Sequence, residues 1–579
     1  MSASQTAAVV ATSSERLEAM LSQLSRRKDA WLQVPIPERL AYLEACLKRV
    51  EAVAEPWVDA CCQAKGLDSQ APLAGEEWLT GPVSTVMYLR LLQASLKSKG
   101  QSEKQSEGQP TGQVDGQLTH RPDGQAVVRV FPQDWLDRLV WLGFEAQIWL
   151  EPGQPSSQGA IYRQKRTSGK LALVLGAGNI SSIGPLDALH KLFVEDEVVL
   201  LKLNPVNEYL GPWLEASFAP LIEAGFLGIA YGGAELGSYL CSHRQIESIH
   251  ITGSQRTHDA IVWGSTGQEQ QARKSTQTPQ LDKPITSELG CVTPVLVVPG
   301  QWSEADLAFQ ARQVASMVVH NASFNCAAAK VLVTAEGWPQ REAFLAQLRR
   351  ELAAIAPRKA YYPGAHQRYQ AFLARYPQAE ALSPGSEEVV PWTLIPNVPP
   401  QASEYALNEE AFCGVLTEVP LPVAEAEAFL DQAVAFANSS IWGTLSCTIL
   451  IDPTTAKKHA GRLDRAIANL RYGGIGINVW SGVLYGLMVT SWGAFPGQPL
   501  TEIQSGRGTV HNTLLFDHPQ KSILWAPFRI QPTPAWFANH KNLRQLGKRL
   551  LALEVARVSK KGLSLLPEIM SVLAAGLRG

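Results

Sequence analysis

No uninterrupted apolar run in this chain approaches the ~20 residues of a membrane span. The first residues, Met1-Ser2-Ala3-Ser4-Gln5, lack the basic start and apolar core of a secretory leader. Cysteine is sparse: the 579 residues hold 8, at Cys46, Cys61, Cys62, Cys241, Cys291, Cys326, Cys413 and Cys447. None forms a C-x-x-C pair and no Cys/His cluster has zinc spacing, so neither a dithiol motif nor a zinc motif is written here, and no metal is expected. Thiols scattered this thinly read as reduced, in a cytoplasmic setting. There is no excess of charge: 51 Lys and Arg face 53 Asp and Glu, a net −2, which removes any global attraction to nucleic acid. No internal repeat is visible. What remains is an ordinary globular composition, 45% hydrophobic and 18% charged, in a chain long enough for several cores.

Residues 14–98 carry a helical period, with Leu17, Met20, Leu21 and Leu24, then Leu40, Leu43, Ala45 and Leu47. Lys97 to Gln117, rich in Gln, Ser, Gly and Lys, reads as a flexible insertion. Residues 126–165 favour strand and hold Trp135, Trp141 and Trp149. Sheet core is the plain reading; a subunit-contact hairpin or a membrane-surface segment are the sharper ones. From Leu171 the pattern alternates strand and helix. Its apolar runs are Leu171–Leu175, Val198–Leu203, Leu227–Tyr231 and Ser248–Thr252, as buried parallel strands require. A second α/β region begins near Pro294. Beyond about 520 the chain turns basic: from Lys541 onward eight Lys and Arg face only Glu554 and Glu568, on an amphipathic background of Leu543, Leu546, Leu550, Leu553 and Val558. Such a segment either lies on an anionic membrane or docks on the body with its basic face in water.

Three residues carry the chemistry. Cys326 lies in His320-Asn321-Ala322-Ser323-Phe324-Asn325-Cys326-Ala327-Ala328-Ala329-Lys330, after a polar turn and at the start of an alanine-rich stretch read as helix. A helix N-terminus would lower the thiol pKa. Thiolate addition to an aldehyde gives a thiohemiacetal, and hydride loss gives a thioester. Glu288, in Thr286-Ser287-Glu288-Leu289-Gly290, is a carboxylate able to take a proton from the hydrolysing water. Asn179, in Gly176-Ala177-Gly178-Asn179-Ile180 after an apolar strand, offers an amide to an oxyanion. Singly these are a small buried hydrophobe, a surface charge and a turn residue. Together, in this order along an alternating chain, they form a set for oxidising an aldehyde. Gly176 and Gly178 do not open a G-x-G-x-x-G fingerprint, because the next glycine is Gly184.

From roughly residue 14 to 515, and most closely from 170 to 420, these motifs resemble the aldehyde dehydrogenase superfamily. The resemblance implies an α/β fold: a nucleotide-binding α/β domain, a catalytic α/β domain and a small β oligomerisation element. On this chain the parts would be 1–125 (helical, with the 97–117 insertion), 126–165 (β element), 166–289 (cofactor core), 290–480 (catalytic), 481–520 (closing) and 521–579 (basic extension). Cys326 would be the nucleophile, Glu288 the base, and Asn179 with the Cys326 backbone N–H the oxyanion donors. Lys202 would bond the adenosine ribose, Gly253 and Ser254 would meet the pyrophosphate at a helix start, Glu410 would bond the nicotinamide ribose and Phe412 would flank the nicotinamide. The motifs depart in places. Pro205 stands where NAD-preferring members carry Glu, so NAD and NADP both stay open. Cys291 replaces the second glycine of Glu-Leu-Gly-Gly, and Cys413-Gly414 replace Gly-Pro. Gly473–Asn478 and Ser505-Gly506-Arg507-Gly508 match the closing motifs loosely, and Trp480, Tyr485, Trp492 and Phe495 line a substrate tunnel or the core.

The expected reaction is NAD(P)-dependent oxidation of an aldehyde, hydrophobic in character given the tryptophan-rich segments, to a carboxylic acid. Two other readings stand beside it: an acyl-CoA or acyl-protein reductase forming an aldehyde, and a non-catalytic membrane-associated scaffold. The resemblance implies a homodimer or homotetramer, no nucleic acid is expected as a partner, and residues 541–579 are the candidate for peripheral membrane contact.

Overall fold

The computed structural model describes residues 10–105, 116–164 and 166–579. In chain order its strands are β1 (Gln117–His120), β2 (Ala126–Phe131), β3 (Glu145–Leu150), β4 (Leu171–Leu175), β5 (Val198–Lys202), β6 (Leu227–Ala230), β7 (Ser248–Gly253) and β8 (Ile285–Leu289). There follow β9 (Pro294–Val297), β10 (Val331–Ala335), β11 (Glu380–Ala381), β12 (Thr393–Ile395), β13 (Val415–Leu421), β14 (Ser446–Leu450) and β15 (Gly474–Ile477). The last are β16 (Trp492–Gly493), β17 (Gly506–Arg507), β18 (Thr509–His511) and β19 (Pro519–Trp525).

The apolar runs that begin at Leu171 become one six-stranded sheet in the order β17-β8-β7-β4-β5-β6, parallel throughout except for β17. Its strands are continuously apolar because both neighbouring strands and packed helices exclude water. Every residue of the helix Ile183–Phe193 is buried, and the helix Ser14–Leu32 buries Leu17, Leu21, Leu24 and Trp31. A second sheet has eleven strands, β1-β2-β3-β19-β15-β14-β9-β10-β13-β12-β11. Its centre, from β19 to β12, is parallel. The tryptophan-rich segment joins this sheet within the same chain: β3 pairs antiparallel with β19, and β2 with β3. Trp149 is buried there, whereas Trp135 lies exposed on a short helix, Trp135–Val140, between β2 and β3.

Two stretches differ from their sequence reading. The helix Ser84–Gln105 runs on into the segment expected to be a solvated insertion; residues 106–115 of that segment lie outside the described residues. The basic C-terminal segment forms two helices, Leu543–Ser559 and Leu566–Gly576. The first is docked on the body. A Cβ on Gly547 would fall 2.6 Å from Trp78 Cβ, and one on Gly75 would fall 2.4 Å from the Leu543 backbone, so glycine permits this helix approach on both sides. Its charges meet partners: Arg557 pairs with Asp134, Asp137 and Glu554, Arg90 with Glu554, and Lys548 with Glu55. No described helix is long and apolar enough to cross a membrane.

Candidate active site

The six-stranded sheet sets the stage. The chain enters at β4, runs to β5 and β6 on one side, then returns to β7 and β8 on the other. Reversal beside the first strand opens a crevice outside the carboxyl ends, the place where such sheets bind ligands. Four of the sequence candidates sit at those ends. Asn179 is in the loop after β4, Lys202 closes β5, and Gly253 closes β7 with Ser254 as the cap of the helix Gln255–Trp263. Ser254 Oγ accepts from Thr257 N, leaving the earlier backbone N–H groups of that helix facing outward with its positive end. Lys202 is buried, and burial holds its pKa below the ordinary lysine value, with Glu208 opposing.

Glu288 lies in β8, and Cys326 is in the turn before β10. Cys326 Sγ is 3.5 Å from Glu288 Oε1, and Trp492 Nε1 donates to the same oxygen at 3.1 Å. Glu288 Oε2 is buried with no protein partner. Burial, then the charge of Asp187, pushes the Glu288 carboxyl up to about 7, against the bonds from Trp492 and Cys326 that lower it. Such a carboxyl is half ionised near neutral pH, which suits a general base. All eight thiols are free, and seven are buried; Cys326 alone is partly open.

Here the sequence reading of Cys326 needs correction. Ala327 to Lys330 form a turn leading into β10, so no helix N-terminus faces the thiol. Its pKa lies well above the ordinary thiol value because burial and the nearby Glu288 and Glu410 carboxylates disfavour the thiolate, with Lys330 opposing. The thiol is neutral at rest, and the carboxyl within reach of it is that of Glu288.

The turn itself is strained and heavily braced. Asn321, Ala322 and Ser323 all have positive φ, at 53°, 55° and 68°. A left-handed run of this kind costs roughly 1–2 kcal/mol per residue and persists only where surroundings impose it. Asn321 Nδ2 donates to the Asn179 and Phe324 carbonyls at 3.0 and 2.8 Å. The buried Lys65 Nζ donates to Asn321 Oδ1 at 3.0 Å, to the Asn179 carbonyl at 3.2 Å and to Glu77 at 2.8 Å. Glu76 accepts from Asn321 N and is paired with Arg358. Asn179 is thereby fixed: its Nδ2 donates one bond, to the Phe324 carbonyl at 3.1 Å, and has a second N–H to give. Sequence reasoning did not single out Lys65, Glu76, Glu77 or Asp187; burying charge at a position with no partner nearby in sequence leaves no local signal.

Glu410 and Phe412 border the same place. Lys330 Nζ lies 3.3 Å from Glu410 Oε1, and burial raises the Glu410 pKa. Phe412, itself at a φ of 41°, packs on Phe324 and Tyr362. The loosely matching Ser505–Gly508 stretch holds Glu288 from behind. Gly506 pairs with Glu288 across β17 and β8, and Ser505 Oγ donates to the Gly290 carbonyl. Of the four aromatic residues, Tyr485 and Trp492 stand next to Glu288 and touch edge to face. Trp480 is spent on the Ala327 carbonyl and Phe495 packs under Lys521.

The sequence model of the aldehyde dehydrogenase family matches residues 214–489. Among curated proteins no sequence relative matches the chain. Solved structures share the fold at low identity. A gamma-glutamyl-gamma-aminobutyraldehyde dehydrogenase from Burkholderia cenocepacia superposes with a TM-score of 0.60 at 17% identity, over 90% of each chain. An aldehyde dehydrogenase from Pseudomonas syringae, complexed with NAD+ and octanal, gives 0.59 at 14% identity, over 90% of this chain and 91% of that one. An NADP-dependent glyceraldehyde-3-phosphate dehydrogenase from Bacillus halodurans, complexed with NADP, gives 0.56 at 16% identity, over 90% and 92%. The family model thus matches the middle of the chain, and the solved structures share its fold.

Proposed function

We propose that this protein oxidises an aldehyde to a carboxylic acid with NAD or NADP. The observation that carries the assignment of roles is the 3.5 Å approach of Cys326 Sγ to Glu288 Oε1, beside an Asn179 amide tied to the same turn. Cys326 Sγ attacks the carbonyl carbon while its proton passes to Glu288. The oxyanion is held by the second N–H of the Asn179 amide and the Cys326 backbone N–H, donors worth roughly 3–4 kcal/mol each in comparable sites. NAD or NADP supplies the hydride acceptor when bound, and loss of hydride from the thiohemiacetal carbon leaves a thioester on Cys326. Glu288 releases the first proton to solvent, takes a second from water as that water adds to the thioester carbon, and passes it to the departing Cys326 sulfur. The carbon–sulfur bond breaks, the acid departs and the thiol is restored. The residues present suit the cofactor: a buried Lys202 whose charge is incompletely compensated and a helix start at Gly253–Ser254 both lie at the carboxyl ends of their strands, with Glu410 near enough to Cys326 to disfavour its thiolate and Phe412 packed on Phe324. Family members and like-folded proteins holding NADP, NAD+ or octanal support the same reading.

The test is reduced-nicotinamide absorbance with each cofactor and a panel of aldehydes, with Cys326→Ala beside the wild type. Reduced cofactor that vanishes in Cys326→Ala is the expected result. Turnover that requires CoA would overturn the role given to Glu288, since a thiol would then take the acyl group. Three finer points belong to the proposal. A hydrophobic aldehyde is supported by Tyr485 and Trp492 beside Glu288. A homodimer or homotetramer is supported by the exposed edge strand β1, which light scattering would test. A cytoplasmic setting with peripheral membrane contact through 541–579 is supported by the free thiols and the basic C-terminal segment.

A further inference from the structure

The helix Leu566–Gly576 is apolar on two opposite faces. Leu565, Ile569, Val572 and Ala575 turn inward, onto Leu543, Leu546 and Leu553 of the preceding helix and Leu136 of the short helix Trp135–Val140. Leu563, Leu566, Met570 and Leu577 turn outward and are 78%, 41%, 61% and 74% exposed. With the exposed Ala574 they recur every three or four residues and form one continuous stripe. Trp135, Leu139 and Leu142, on or just after the short helix that shares this small core, are exposed as well. Among the described residues, seven of the ten exposed large apolar side chains thus fall on these two neighbouring pieces. Scattered exposed leucines need no explanation; a concentration of this kind marks an interaction face.

The charges around it say what the face meets. Lys561 and Arg578 are exposed at the two ends of the stripe, and Arg138 is exposed on the short helix. The nearby anions are already engaged: Glu568 with Lys560, and Asp134, Asp137 and Glu554 with Arg557. The border is therefore positive. A second copy of the stripe packed by a two-fold axis would set Lys561 against Arg578, or each cation against its twin, and like charges around an apolar seam oppose that pairing. The basic helix Leu543–Ser559, by contrast, directs Arg544, Lys548 and Arg557 to protein carboxylates.

We propose that the outward face of residues 563–577, with Trp135, Leu139 and Leu142 beside it, lies in the plane of an anionic lipid surface. Its apolar stripe enters the acyl boundary while Lys561, Arg578 and Arg138 meet the headgroups. This deepens the peripheral-contact part of the proposed function, moving the contact from the basic helix to the apolar one, and it stands apart from the chemistry at Cys326. The experiment is co-sedimentation of the full chain with phosphatidylcholine vesicles, with and without phosphatidylserine, for the wild type, the triple variant Leu566→Ser/Met570→Ser/Leu577→Ser and the charge variant Lys561→Glu/Arg578→Glu. Wild type should bind the phosphatidylserine vesicles and release at high salt. The triple variant should lose at least tenfold in partitioning, and the charge variant about fivefold or more per cation changed. All substituted side chains are exposed, so the melting temperature should stay put. Equal binding by the triple variant and wild type overturns the proposal. So does a wild type that binds neither vesicle, and a gel-filtration volume that shifts to the smaller species in the triple variant would then assign the face to a second copy. Vesicle binding needs no turnover: a chain that binds vesicles but oxidises no aldehyde refutes the proposed reaction and leaves this inference standing.

Discussion

Replacing Glu288 by Gln should stabilise the folded chain in alkaline solution, and the size of the effect follows from its burial. Glu288 is 2% exposed, and its carboxyl is raised from 4.5 to about 7. Below about pH 4.5 the group is neutral in both folded and unfolded chains and costs nothing. Between about 4.5 and 7 the unfolded chain releases the proton and the folded one keeps it, so stability falls as pH rises. Above about 7 the folded protein must hold a buried carboxylate, and the whole penalty is present. At 1.36 kcal/mol per pKa unit the shift amounts to about 3 kcal/mol. Gln keeps the shape and can still accept from Trp492 Nε1, but it cannot ionise. Urea unfolding of wild type and Glu288→Gln at matched pH should give a gap of under about 1 kcal/mol at pH 5, rising to about 3 kcal/mol at pH 8. A gap that stays flat with pH, or a variant less stable than wild type at pH 8, would refute the claim that burial sets this pKa.

The other expectations concern what braces the site. Lys65→Met strands the buried Glu77 and unties Asn321 and the Asn179 carbonyl; it should cost about 3–5 kcal/mol in urea unfolding and lower kcat at least tenfold with little change in aldehyde KM. Trp492→Phe removes the N–H that lowers the Glu288 pKa; a bond to a charged group is worth about 1.5–3 kcal/mol, so the acidic limb of the kcat–pH profile should move up by about one to two units. An unmoved limb would separate Trp492 from the base. Gly506→Ala places a Cβ 2.0 Å from the Ser287 carbonyl at a φ of +119°, so β17 must move off β8, with a loss of about 2 kcal/mol or more by urea unfolding and a fall in turnover as Glu288 shifts.

The alternating sheet was readable because its strands are buried on every side and so appear as unbroken apolar runs from Leu171 to Thr252. Asn179, Glu288 and Cys326 were readable as a set because their residue types and order are unusual together, and the structure brings Cys326 onto Glu288 and Asn179 onto the turn that carries Cys326. The electrostatic setting was not readable. The alanine-rich stretch after Cys326 has helical propensity, but Lys330 is drawn back to the Asn325 and Ala328 carbonyls and the chain leaves as β10. The bracing of the turn comes from Lys65, Glu76 and Glu77 in the first helical region, whose charges look solvated until the fold buries them. The C-terminal segment shows the same limit. Its basic residues were plain in the sequence, yet whether they face water or protein depended on Glu55, Asp134 and Asp137, which no local pattern connects to it.

The most direct test of the central claim is an intact-mass measurement on Glu288→Gln incubated with aldehyde and NAD+ or NADP+, followed by peptide mapping. If Cys326 carries the acyl group and Glu288 activates the water that removes it, the variant, in which buffer base must slowly take the Cys326 proton in place of Glu288, should accumulate one acyl adduct per chain over a long incubation, on the Cys326 peptide, only when cofactor is present, while the wild type shows little. No adduct, or an adduct on another residue, would contradict the account.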